Sequence, residues 1–400
     1  MLRHLFKLIW KRKGRNLMLT LEILLAFVIV FAITAFAVRN AELYRLPTGF
    51  DASDTWSVFI QDPSDANDKF TPELYDRYKR GLESLPGVRQ VAFGSASPYS
   101  NHTMINDFVA PAGGKRIRTE QLEVSDDYMA LLGVKVLEGR GFDRSDDGSA
   151  ATPVVINRRM ATTLFGTAPA VGKVFDTSEP ENKGRDMMKV VGVIDTFRKK
   201  GELDSPDNFM FVRYTPTLNV GNVRFMVVKL APGTERSFEE TLQRQLKLIR
   251  NDLSYDVTPL SSQRKEVMSE KITPMIVLAV VAAFMLVMVG FGLFGVLWQN
   301  TTRRIPEIGL RRALGASAAN IYRQIIAEQF LLSSMAMAAG MLLLVQLPVT
   351  GVMGESLNWR VFAVASFLSM AVIYLLSLLC SVYPGWRASR LSPTEALHYE

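Results

Sequence analysis

Cysteine is almost absent: among 400 residues only Cys380 occurs. An intrachain disulfide is therefore excluded, and so is a metal site built on several thiolates. Histidine is nearly as scarce, with His4, His102 and His398 alone. His102 lies in a polar stretch (SPYSNHTMIND) with no sequence-evident partner and reads as a solvated loop residue. The pairs Asp126/Asp127 and Asp146/Asp147 stand beside Ser and Gly, a context of turns and helix caps rather than metal ligands. With no nucleophile–base constellation in the chain, an enzyme is the weakest class of function. A phosphate loop is missing too. Residues 166–173 (GTAPAVGK) place five residues between the glycines where the Walker pattern needs four, and Val174 follows the lysine instead of Ser or Thr. No catalytic residue, metal or resident cofactor is expected here; any ATP and Mg²⁺ would be bound by a partner chain.

Acidic residues are missing from the first 16 positions, which carry Arg3, Lys7, Lys11, Arg12, Lys13 and Arg15. Residues 39–271, by contrast, hold 32 Lys/Arg against 33 Asp/Glu. The net charge of +7 is thus a signal of membrane orientation rather than of nucleic-acid binding.

What the chain does have is long apolar blocks. A hydrocarbon core about 30 Å thick needs about 20 apolar residues in a helix. Residues 17–38, 275–298, 330–347 and 361–382 qualify, and spans are expected over 17–38, 272–298, 321–347 and 361–383. Glu22 is the single charge in the first and is expected to snorkel or to pair inside the bundle. Gly290, Gly292 and Gly295 would allow close helix contact in the second. A cleaved signal peptide is disfavoured, because 22 residues exceed an h-region of 7–15.

The linkers set the orientation. Residues 299–320 carry Arg303, Arg304, Arg311 and Arg312 against Glu307 alone, and residues 348–360 only Glu355 and Arg360. Arg387 and Arg390 follow the last span. Positive-inside logic places both termini, the 299–320 loop and the 384–400 tail in the cytoplasm. Residues 39–271 and the short 348–360 loop then face outward. Residues 1–16 are expected to form an interfacial amphipathic helix that buries Leu2, Leu5, Phe6 and Ile9 in lipid.

The outer segment alternates helix and strand signals, which suits one or two α+β lobes. Helices are expected over 71–84, 126–132, 158–165 and 237–253, and strands over 88–93, 153–156, 189–194 and 224–230. Residues 98–115 and 176–186 read as loops.

Residues 303–317 (RRIPEIGLRRALGAS) resemble the R-x-x-E-I-G-x-R-R-A-x-G-A signature of MacB/FtsX-type ABC permeases. Residues 384–400 (PGWRASRLSPTEALHYE) are similar to that family's ending, carried here by Pro384, Ala388, Pro393, Glu395, Ala396 and Leu397. In the outer segment, VSDDYMALLGVKVLEGRGFDRSD, TPVVINRRMATTLFG, VGKVF and VVGVIDTFRKKG resemble the MacB periplasmic core domain. Pro306 departs from the basic or polar residue of many relatives, yet proline fits the first turn of a helix. MacB itself carries a fused ATPase that these 400 residues do not match, so the expectation is a permease of the stand-alone type.

The resemblance implies a fold of four membrane helices plus an α+β extracytoplasmic domain of MacB type. It implies a coupling helix at Glu307, Ile308, Gly309, Leu310, Arg311, Arg312, Ala313, Leu314 and Gly315 that docks a cytoplasmic ABC ATPase. Leu310, Ala313 and Leu314 share one face at i, i+3, i+4, and Arg311 and Arg312 flank it. It further implies mechanotransmission: ATP hydrolysis in the ATPase moves the outer domains of two paired permease chains in a bacterial inner membrane. Export with a periplasmic adaptor and outer-membrane channel is the first expectation. Lipoprotein release or FtsX-like regulation of a periplasmic partner is the second, and an ATP-independent receptor the third.

Overall fold

The computed structural model describes residues 13–61, 71–109, 116–178, 186–214 and 223–390, with side chains from residue 17 onward. The expected N-terminal helix and the last ten residues lie outside this set, apart from the helical backbone of 13–16. Two compact units emerge: Leu43–Lys271, and Met1–Glu42 together with Ile272–Glu400.

In chain order, α1 (Lys13–Tyr44) is followed by β1 (Thr55–Gln61), α2 (Pro72–Glu83), β2 (Val88–Gly94), β3 (Met104–Val109), β4 (Arg116–Val124) and α3 (Tyr128–Leu131). Next come β5 (Val136–Gly139), β6 (Thr152–Asn157), α4 (Arg158–Phe165), β7 (Val174–Asp176), β8 (Met187–Ile194) and β9 (Phe209–Arg213). β10 (Phe225–Leu230), α5 (Phe238–Ile249) and β11 (Ser254–Pro259) close the outer unit. The rest is helical: α6 (Leu260–Thr302), α7 (Ile305–Ala313), α8 (Ala318–Leu344), α9 (Gln346–Thr350) and α10 (Trp359–Arg390).

One half of the outer unit has strand order β11-β1-β10-β2, all neighbours antiparallel. β1-α2-β2 and β10-α5-β11 are therefore two split β-α-β units, each receiving a strand of the other into its gap. α2 turns Leu74, Tyr75, Tyr78 and Leu82 to the sheet, and α5 turns Leu242 and Leu246. These side chains bury Trp56, Val58, Ile60, Phe93, Met226 and Val228. The other half continues as β4-β9-β6-β8-β5, with β4/β9 and β6/β8 parallel. Asn157 starts α4 by accepting from the Met160 N–H at 2.9 Å, and the same oxygen accepts from Phe209 N–H on β9 at 3.2 Å.

The expected helix over 237–253 stops at Ile249, because 254–259 instead pairs with β1. Tyr255 then reaches Tyr78 on α2, hydroxyl to hydroxyl at 2.7 Å. The stretches read as loops contain all of β3 and the end of β7, both short and both joined to the sheet through one neighbour. Arg198 fixes the way into this unit. It is 1 % exposed, and its guanidinium donates to the carbonyls of Leu46, Glu202 and Asp204 while its N–H donates to Thr48. Gly49 (φ +88°) lies so close to Thr196 that a Cβ would land 1.9 Å from its carbonyl oxygen.

Four helices are long and apolar enough to cross a membrane: Leu17–Tyr44, Leu260–Thr302, Ala318–Thr350 and Trp359–Arg390. The expected architecture, four membrane helices plus an α+β outer domain, is the one observed. Small residues set the closest approaches. A Cβ on Gly340 would meet the Phe27 ring at 2.7 Å, and one on Gly292 would meet Glu22 Oε1 at 2.3 Å. Gly290 receives Leu376 and Cys380, whereas Gly295 faces open space. α8 and α10 share a row of polar residues. Ser333 and Ser377, both fully buried, lie 2.7 Å apart, and Ser334 meets the Tyr374 hydroxyl at 2.8 Å. Ser369 and Ser381 bond back to their own helix. This is a packing seam, in which small side chains admit close helices and each hydroxyl finds a partner. α10 also continues past the expected span through Pro384 to Arg390, with Arg387 over the Trp298 ring and Arg390 over Trp386.

Candidate functional site

The candidate coupling helix is α7, nine residues long. Pro306 sits in its first turn, where a missing N–H costs nothing. Gly315 (φ +95°) ends it in a left-handed turn that places the Ala316 N–H on the Arg311 carbonyl. Ser317 then caps α8 by accepting from the Asn320 N–H.

The two faces of α7 differ in kind. Ile305, Ile308 and Gly309 are buried, and Ile308 packs with Ile321, Ile325 and Ala388 of α8 and α10. Leu310 is 57 % exposed and Leu314 80 %, with Ala313 exposed between them. An apolar ridge thus stands free on a helix whose opposite face is already fixed. Glu307 pairs with Arg311 at 2.6 Å. Arg311 also donates to Gln324 at 2.9 Å, Gln324 donates to Glu328 at 3.0 Å, and Glu328 pairs with Arg304 at 2.5 Å. Arg312 donates to the Ser389 carbonyl at 2.5 Å. Both arginines expected to flank the docking face are therefore engaged inside the chain: on a short helix laid against two others, the nearest acceptors belong to those neighbours.

Behind this relay lies a cavity of about 70 Å³ bordered by Asn300, Arg304, Gln324, Glu328 and Gln329. Asn300 Oδ1, Arg304 Nε and Gln329 Oε1 find no hydrogen-bond partner among the described residues. The space and its polar walls suit bound water. Of the C-terminal motif, Pro384 and Ala388 are buried on α10 beside Gly385, where a Cβ would meet the Tyr322 ring at 3.1 Å. Pro393, Glu395, Ala396 and Leu397 lie outside the described residues.

In the outer unit the aspartate pairs hold arginine and lysine. Arg213 bonds both oxygens of Asp126, at 2.7 and 2.9 Å, and Asp147 at 2.7 Å. Arg140 grips Asp146 through two bonds of 2.7 and 2.6 Å, and Lys79 meets Asp127. No group of three potential metal-ligating side chains occurs among the described residues. Lys173, the lysine of the false phosphate loop, lies 4.7 Å from the centre of the Phe165 ring. His102 is exposed, its ring beside Phe59 and Phe225. Spacing alone could not reveal these ion pairs, since Asp126 and Arg213 stand 87 positions apart.

The Arg140 hydrogen bonds hold the Asp146 carboxyl below its ordinary 3.8. A depressed carboxyl stabilises the fold fully above 3.8 and loses that contribution as pH falls through its lower folded value. Asp146→Asn should therefore lower the melting temperature at pH 7. Its deficit against the unsubstituted protein should shrink towards zero as both are unfolded at pH values below 3.8. A deficit constant down to the lowest pH would show that the charge is not its origin.

Comparison with known proteins agrees with this architecture. The family description "MacB-like periplasmic core domain" matches residues 21–245, and "FtsX-like permease C-terminal" matches residues 279–393. Among similar proteins is the macrolide export ATP-binding/permease protein MacB 1/2 of Paracoccus denitrificans, 27 % identical over 68 % of this chain and 41 % of that protein. The pyoverdine export ATP-binding/permease protein PvdT of Pseudomonas aeruginosa is 24 % identical over 68 % of this chain and 41 % of its own length. The chain thus spans about two fifths of these relatives. The solved periplasmic region of MacB from Actinobacillus actinomycetemcomitans aligns with a TM-score of 0.39 at 14 % identity, covering 57 % of this chain and 98 % of that one. With one family profile covering more than half of the chain and a second covering the last three spans, the protein belongs to the MacB/FtsX-like ABC permeases.

Proposed function

We propose that this chain is the permease subunit of an ABC-type complex in a bacterial inner membrane. In this reading α7 docks in a groove of a cytoplasmic ATPase, which binds the ATP and Mg²⁺. A second permease chain, the same or similar, stands beside this one. ATP-driven closure of the ATPase pair then moves the outer domains, while the permease itself performs no chemistry. Both termini and α7 lie on the cytoplasmic side, as the arginines and lysines around them favour. Export of a substrate already outside the membrane, together with an adaptor and an outer-membrane channel, is the work this motion would serve. The export functions named for the relatives support that reading.

The observation that carries the proposal is the free ridge of Leu310 and Leu314 on a helix bolted to α8 and α10. Exposed leucines separated by one turn match the anchors of a helix-in-groove contact. The double variant Leu310→Asp/Leu314→Asp tests it. Both side chains point away from the chain's own packing, so the variant should keep the melting temperature within about 1–2 °C. An ATPase should copurify with the unsubstituted chain from native membranes and be lost, at least tenfold, with the variant. If crosslinked membranes yield no ATPase even without the substitutions, a receptor that signals without ATP takes the place of this reading.

A further inference from the structure

Glu22 is the only ionisable residue between Leu17 and Val38, and it lies about 7.5 Å, or five residues, inside the first span. A carboxylate at such depth is costly and ordinarily marks a site. It stands against Gly292 of α6, where even a methyl group would collide with its Oε1. The glycine makes room for the carboxylate. Along the same contact between α1 and α6 runs a groove of about 310 Å³. Leu25, Ile29, Val30, Met285 and Met288 are among its walls, and among the described residues Glu22 is the only lining one with a polar side chain. No hydrogen bond or ion pair to the Glu22 carboxylate occurs among the described residues. The groove is not closed over, and α6 is the span least covered by its neighbours, with 11 % of its apolar window buried against 33–39 % for the others.

We infer that this groove is a binding site for an amphipathic amine dissolved in the membrane, an apolar body with one protonated nitrogen that pairs with Glu22. The volume lies at the lower end of small-molecule sites, and one charged anchor in apolar walls is their usual make-up. Burying the apolar body supplies the bulk of the affinity, and the ion pair fixes which end sits where. A zwitterionic aminophospholipid matches less well: its phosphate would stand next to the carboxylate, and among the described residues no cation lines the groove to receive it. The inference needs no ATPase and stands apart from the docking proposal.

The test uses the full chain in phosphatidylcholine nanodiscs, with dodecylamine as probe and dodecanol as its uncharged control. Thermal unfolding followed by tryptophan fluorescence should show a saturable rise of a few degrees with the amine and none with the alcohol. Glu22→Gln should melt where the unsubstituted protein does and lose the rise. Met285→Trp, which fills the groove and leaves the carboxylate, should lose it too. Equal shifts with both probes, a shift that survives Glu22→Gln, or no shift at all would overturn the assignment. So would a Glu22→Gln variant melting many degrees lower, since the carboxylate would then serve a partner within the chain or in a second copy. Loss of the amine's effect when phosphatidylethanolamine replaces phosphatidylcholine would assign the groove to the lipid and overturn the free-amine reading.

Discussion

Arg198→Met is expected to destabilise the outer unit by about 3–5 kcal/mol, the range for breaking a buried polar network. At roughly 2–4 °C per kcal/mol for a domain of this size, its melting transition should fall by about 10 °C. The guanidinium is fully enclosed and serves the carbonyls of Leu46, Glu202 and Asp204, with a long fourth contact of 3.5 Å to Pro47. Methionine fills much of the volume but donates nothing. Each carbonyl would then be buried without its donor, at a cost of about 1–3 kcal/mol apiece if water stays out. Water entering through the rearranged 202–204 loop would reduce the total, which sets the lower bound. Differential scanning fluorimetry of the purified chain would check the value. A drop of less than about 3 °C would mean that the loop at 46–49 is held by its backbone contacts and by the close packing at Gly49, not by the arginine.

Glu328→Leu should cost about 2–4 kcal/mol in the membrane unit, because removing one partner strands the other charge. Arg304 and Glu328 have side chains only 17 % exposed, and Arg304 Nε already lacks a partner among the described residues. The double variant Arg304→Met/Glu328→Leu should recover a large part of the loss, since a buried pair exchanged for apolar side chains of similar size is often near neutral. Unfolding in mixed micelles by added denaturing detergent, compared across the four members of the cycle, gives the coupling between the two residues. A coupling near zero would show that water in the adjoining cavity screens the pair.

The membrane architecture is legible in the sequence because lipid imposes a strong and uniform demand. Blocks of about 20 apolar residues, as at 17–38 or 361–382, have little use outside a bilayer. Helix α7 is legible on different grounds. Its residues are local in sequence, and the apolar positions 310, 313 and 314 repeat at helical spacing, so the ridge follows from the spacing alone. The destination of its arginines does not. Arg311 is met by Gln324 and Arg312 by the Ser389 carbonyl, partners fixed by how three helices cross. The outer unit shows the same division. Helix α4 is legible at its true limits because Asn157 caps it and Gly166 ends it. β3 and β4 are not, since Met104–Val109 and Arg116–Val124 carry polar or charged side chains on much of one face and leave a thin apolar signal. The serine seam is hidden for a chemical reason: scattered serines in an apolar run look incidental until two helices bring them opposite each other.

The anchoring of α7 separates its neighbours in sequence from its neighbours in mechanics. Only Arg303 and Arg304 join it to α6, whereas Ile308, Arg311 and Arg312 tie it to α8 and α10. A push delivered at Leu314 therefore has its stiffest path into the third and fourth helices, and the short link to the second acts as a tether. An inserted glycine between Thr302 and Arg303 should consequently be tolerated far better than one between Gly315 and Ser317, where the lever meets its load.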